Sequence, residues 1–127
     1  VAELHVELVS VERRIWSGDA TRVIARTTVG EIGILPGHAP LLGEVSEAAV
    51  VRILQTDGTE LTVAVHGGFL SVTDQGLTIL AEVAELAGDI DAGRARASLE
   101  KARAAGDLAA ARRAEGRLAA VGLAEHI

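Results

Sequence analysis

The stretch from Leu77 to Asp107, LTILAEVAELAGDIDAGRARASLEKARAAGD, changes its period halfway, and that change decides the fold. At its start Leu77, Ile79 and Ala81 alternate with Thr78, Leu80 and Glu82. Successive strand side chains point to opposite faces, so this spacing predicts a strand over 77–82. Beyond Gly88 the apolar residues Ala92, Ala95, Leu99 and Ala102 recur at steps of three and four, the period of a helix. Gly106 and Asp107 interrupt the pattern, and Leu108, Ala111, Leu118 and Val121 restart it. The tail therefore reads as two helices with an alanine-rich seam. Alanine favours helix and lets backbones approach closely, but at about 25 cal/mol per Å² it buries little apolar area. A hairpin held this way is suited to move.

Working toward the N-terminus, period-two runs continue. Leu4, Val6 and Leu8 face away from His5 and Glu7, and similar runs cover 13–17, 21–28, 31–35, 49–55, 60–66 and 69–73. Ser17-Gly18-Asp19, Asp57-Gly58 and Asp74-Gln75-Gly76 supply turn residues between them. The expected fold class is α+β. An N-terminal β-sandwich or barrel of about ten strands, counted as eight to ten, occupies residues 1–87, and a C-terminal antiparallel αα-hairpin occupies residues 88–127.

Composition narrows the function. The chain has 127 residues, 49% of them hydrophobic, which suits one compact domain with an appendage and argues against disorder. No apolar run approaches the roughly 20 residues of a membrane span, and the start carries no basic-then-apolar leader. Cysteine is absent, which excludes disulfides and thiolate metal sites. The net charge of −6 is uneven: residues 1–88 hold 12 acids against 5 bases, and residues 89–127 hold 6 against 7. So acidic a body makes nucleic acid an unsuitable partner.

Catalytic signatures are missing. The chain contains no GxxxxGK[ST], GxSxG or HExxH, and His5, His38, His66 and His126 lack metal-ligand spacing, so neither a catalytic residue nor a metal is expected. Glu82 and Glu85 read as solvated carboxylates at the end of the last strand, and Gly67-Gly68 as a tight bend. Trp16 and Phe69, the only aromatic residues, are expected in the core, which leaves no stacking platform for a sugar.

Two segments remain. GEIGILPGHAPLL, from Gly30 to Leu42, holds both prolines of the chain, which remove amide donors and force extended geometry before them. It is an apolar, stiff corner of the kind that marks a docking partner. In DIDAGRARASLEKAR, Asp91 suits a helix N-cap, and Arg94, Lys101 and Arg103 supply cations able to hold phosphate oxygens.

These segments resemble the epsilon subunit of bacterial and chloroplast F-type ATP synthases. GEIGILPGHAPLL, VHGGFLSV and IDAGRA stand in that family's order, the last fitting its [IL]DxxRA nucleotide motif, so the resemblance spans nearly the whole chain. It implies a non-catalytic central-stalk subunit that couples proton translocation to ATP synthesis and restrains ATP hydrolysis through its C-terminal helices. The implied partners are the gamma subunit, the c-ring and the alpha and beta subunits of the catalytic head. The implied location is peripheral, at the cytoplasmic face of the bacterial plasma membrane, through the complex alone. Rotor docking falls to Glu31, Pro36, Gly37, His38 and Pro40, with Glu31 toward the c-ring and His38 toward gamma. No cofactor is required, and ATP is implied as a regulatory ligand on Glu85, Ile90, Asp91, Arg94, Ala95 and Arg103, although Lys101 stands where an ATP-binding member has arginine. Arg112, Arg113 and Arg117 are the implied inhibitory contacts to the head. A stand-alone ATP-sensing regulatory module is the alternative reading.

Overall fold

A computed structural model describes residues 2–125 of the chain, so His126 lies outside it. Seven strands come first: β1 (Leu4–Ser10), β2 (Arg14–Thr27), β3 (Gly30–Ile34), β4 (Leu41–Val45), β5 (Ala49–Gln55), β6 (Glu60–Thr73) and β7 (Gly76–Leu86). A single 3-10 turn, Ala87–Asp89, leads into α1 (Ala92–Ala105) and α2 (Leu108–Glu125). The order of strands then helices is the one the change of period predicts. The count of about ten strands is corrected to seven. The runs at 13–17 and 21–28 join into the 14-residue β2, and those at 60–66 and 69–73 into the 14-residue β6. β4 is an addition, and β7 runs on to Leu86.

The long strands serve two neighbours in succession. β6 pairs with β5 through Glu60–Val65 and with β4 through Gly68–Val72, while β7 follows it along nearly its whole length. The change of partner falls at Gly67 and Gly68, whose φ values of 72° and 136° suit glycine. Pairing closes into a ring through β1, β2, β5, β6, β7 and back to β1, and only β1 and β7 run parallel. Inside sit Val6, Leu8, Val23, Ile34, Val51, Ile53, Val63, Val65, Leu70, Leu77 and Ile79, all sealed from solvent.

Phe69 does not join them. Inward residues are odd-numbered before the bend (Val63, Val65) and even-numbered after it (Leu70, Val72), so Phe69 turns outward and is half exposed. Trp16 packs against the core as expected.

The hairpin is closed by local chemistry. The Asp91 carboxylate accepts the Arg94 backbone N–H at 3.0 Å, capping α1, and Gly106 ends that helix in the left-handed region at φ 70°. Asp107 then caps α2 by accepting the Ala110 N–H at 3.1 Å. α2 lies on β6 and β5, and α1 packs on α2. Where α2 crosses the sheet, a second small cluster forms from Ala64, Ala87 and Ala120, with Val50, Ile90 and Ala124 at its margin. Gly116 comes so close to Ala48 that an added Cβ would stand 3.4 Å from its Cα.

Candidate functional site

The end of β7, the 3-10 turn, the first turns of α1 and the middle of α2 enclose a cleft of about 290 Å³. Glu85, Asp89, Ile90, Asp91, Arg94, Ala95, Ser98 and Arg117 line it. Five of the six residues expected to hold nucleotide are thus brought together. Arg103 is not: it is exposed, and its guanidinium stands 3.7 Å from Glu115 on the neighbouring helix. The volume is near the lower limit of about 300 Å³ for small-molecule pockets.

Glu85 is the centre of the cleft's electrostatics. Its Oε1 accepts from Arg117 Nε at 2.6 Å and lies 3.1 Å from Nε2 of His66. It is therefore no solvated strand end, because α2 covers it and brings it a guanidinium. His66 is 3% exposed. A carboxylate oxygen can only accept, so the neutral ring carries its proton on Nε2 and donates it to Glu85. Nδ1 is buried without a hydrogen-bond partner among the described residues, although the Glu47 backbone carbonyl also faces the ring. Burial pushes the imidazole below its ordinary range and outweighs the Glu85 hydrogen bond, which acts the other way.

His66 and the inward role of Arg117 were not foreseen from the sequence. A signal does exist: Thr62, Val63, Ala64, Val65 and His66 are buried in succession. Apolar residues on both faces of a strand mean that something covers each face, and α2 is that cover.

The expected docking corner is a turn. Leu35 to His38 is closed by the His38 N–H donating to Leu35 O at 3.1 Å, with Pro36 at the second position and Gly37 at φ 81° at the third, as a type II turn requires. His38 Nδ1 donates to Ala39 O at 2.7 Å, which fixes the ring. Gly37 and Pro40 are exposed and Pro36 and His38 half-buried, while Glu31 stands exposed on β3 opposite Arg26. Leu35 and Leu42 add exposed apolar surface to either side.

Of the three arginines expected to reach a partner, two are engaged within the chain. Arg117 holds Glu85, and Arg112 stands 3.8 Å from Glu47. Arg113 is half-buried. Among the described residues no group of histidines and carboxylates has the arrangement of a metal site, and no helix is long and apolar enough to cross a membrane.

Known proteins with this sequence pattern point one way. The family described as ATP synthase, Delta/Epsilon chain, beta-sandwich domain matches residues 3–87. An ATP synthase epsilon chain of Streptomyces avermitilis is 58% identical over 120 residues, covering 94% of this chain and 96% of that one. Epsilon chains of Rhodococcus jostii and Mycobacterium avium are 57% and 50% identical and are covered to 98% each, by 95% and 96% of this chain. Among solved structures, a chain in the OSCP/F1/c-ring of Euglena gracilis mitochondrial ATP synthase superposes with a TM-score of 0.74 at 25% identity, over 93% of this chain and 76% of that chain. A chain in the central stalk and c-ring of the Tetrahymena thermophila enzyme shares the fold at 14% identity, with a TM-score of 0.55 over 87% of this chain and 96% of that one.

Proposed function

Because this chain belongs to the epsilon-chain family of ATP synthases, we propose that it is a non-catalytic subunit of the central stalk whose sandwich docks on the rotor and whose helical hairpin restrains ATP hydrolysis. Its partners are the gamma subunit, the c-ring and the alpha and beta subunits of the catalytic head, and it meets the cytoplasmic face of the membrane only through them. The stand-alone ATP sensor gives way to this reading, since relatives covered almost end to end are chains of ATP synthase.

The observation that carries the brake is how lightly the hairpin is held. α2 rests on the sheet through alanines and Gly116, with Glu85–Arg117 and Glu47–Arg112 as its ion pairs to the sandwich among the described residues. A small apolar contact and two ion pairs make a reversible clasp. Lifting α2 would free Arg112 and Arg117 for an acidic partner in the head. Glu31, Pro36, Gly37, His38 and Pro40 stay on the sandwich, at the rotor.

A chain ending at Ala87 tests this division. It is expected to give its own sigmoidal denaturant transition. Assembled into the complex at matched subunit content, it should raise ATP hydrolysis while proton-driven synthesis changes less. Equal hydrolysis with the full-length and shortened chains would remove the brake.

ATP is proposed as the regulatory ligand of the cleft, on Glu85, Ile90, Asp91, Arg94 and Ala95. Binding there needs Arg117 to share or yield Glu85. Ligand at 100 times its dissociation constant should stabilise the chain by about 2.7 kcal/mol. Asp91→Ala should remove that gain and, through the lost N-cap, also lower stability without ATP by about 1 kcal/mol. Calorimetry with no heat at millimolar ATP, or Asp91→Ala losing the same stability with and without nucleotide, would limit Asp91 to capping.

A further inference from the structure

His66 is a buried imidazole at the contact between sandwich and hairpin, and it shares one carboxylate oxygen with an arginine of α2. We propose that His66 is a proton-operated release for the hairpin: on taking up a proton it claims Glu85 from Arg117, and α2 lifts from the sheet. This goes beyond the brake, because it needs neither ATP nor the assembled complex.

The charges around the ring set the direction. Glu85 faces it from β7 and Arg117 from α2, while the segment between β4 and β5 offers the Glu47 carbonyl. With His66 neutral, the buried ring faces a half-buried pair, one carboxylate balanced by one guanidinium. Protonation makes it two cations on one carboxylate, and the added charge sits on a ring that is sealed from water while Glu85 and Arg117 keep about a third of their surface exposed. Such a surplus charge is costly to bury. Lifting α2 removes the guanidinium and lets water reach the ring, leaving His66 and Glu85 as a balanced pair. The new Nδ1–H would have the Glu47 carbonyl on its side.

The sign follows from linkage. Burial and Arg117 lower the docked imidazole's affinity for a proton, so the lifted form binds the proton better. Docking is undisturbed above the ordinary histidine range near 6.5 and is lost as pH falls from there through the lower value of the docked form. One linked proton changes the ratio of docked to lifted hairpins by up to about tenfold per pH unit.

The chain has no cysteine of its own, so Asp74→Cys with Ala119→Cys places two dyes, one on the sandwich and one on α2, both at exposed positions. Energy transfer in the full chain should fall between pH 8 and pH 5, with the midpoint at which the His66 ring titrates by NMR. In His66→Gln the amide can still donate to Glu85 but takes up no proton, so energy transfer should stay high across the range. A wild-type hairpin that remains docked down to pH 5 overturns the proposal, as does a His66→Gln chain that opens like the wild type. Should that variant not fold, the wild type decides: coincident midpoints support the release, and midpoints a full pH unit apart overturn it.

Discussion

Gly68→Ala is expected to destroy the folded sandwich. At Gly68 the backbone has φ 136°, and an added Cβ would stand 2.1 Å from the Leu80 carbonyl oxygen and 2.9 Å from Ala81 Cα. Neither is a flexible side chain that can swing aside. The strain of such a φ costs about 1–3 kcal/mol by itself. Relieving the clash requires β6 and β7 to part where β6 exchanges β5 for β4, so the ring of strands opens at its corner. A loss above about 4 kcal/mol, beyond the usual range for a point change, is expected. A denaturant melt within about 1 kcal/mol of wild type would show that the corner tolerates a side chain.

Gly116→Leu should instead leave the sandwich standing and unseat the hairpin. With Ala48 already in contact distance of a mere Cβ, three further carbons have no room. Overpacking costs about 1–3 kcal/mol, which shifts the balance of docked and lifted forms by about 5- to 150-fold. Arg112 and Arg117 are then free of Glu47 and Glu85. In the assembled enzyme Gly116→Leu should therefore lower ATP hydrolysis, whereas removal of the hairpin raises it. Two changes to one element that move the rate in opposite directions distinguish a brake from mere structural support. If both raised it, the lifted hairpin would not be the inhibitory form.

Much of this arrangement was legible because local rules governed it. The switch of period after Gly88, the Asp91 cap, the Gly106 stop and the turn from Leu35 to His38 all depend on residues within a few positions of one another. The candidate cleft was partly legible for the same reason, since Ile90, Asp91, Arg94 and Ala95 share one short segment. What escaped was set at a distance. Glu85 lies 19 residues from His66 and 32 from Arg117, and no spacing rule joins them. β4 follows two prolines and contains a glycine, so its five residues carry too little alternation to be read. The expectation of Phe69 in the core follows from its aromatic character, and an alternation continued across Gly67-Gly68 would also put it there. The bend shifts the inward face by one residue, and a one-residue shift exchanges the two sides of a strand.

The parallel pairing of β1 with β7 has a temporal side. Leu8 lies opposite Ile79, so β1, which can pair with β2 early, finds its neighbour on the other side only when nearly the whole sandwich has been synthesised. Closing so long a loop lowers the rate at which the domain can reach its native pairing. Until then Val6 and Leu8 have no complete core to enter, and the nascent chain presents an unfinished sheet edge to its surroundings. The helical hairpin, made after the strands and from near neighbours, forms quickly, but the surface it rests on exists only after that ring has closed.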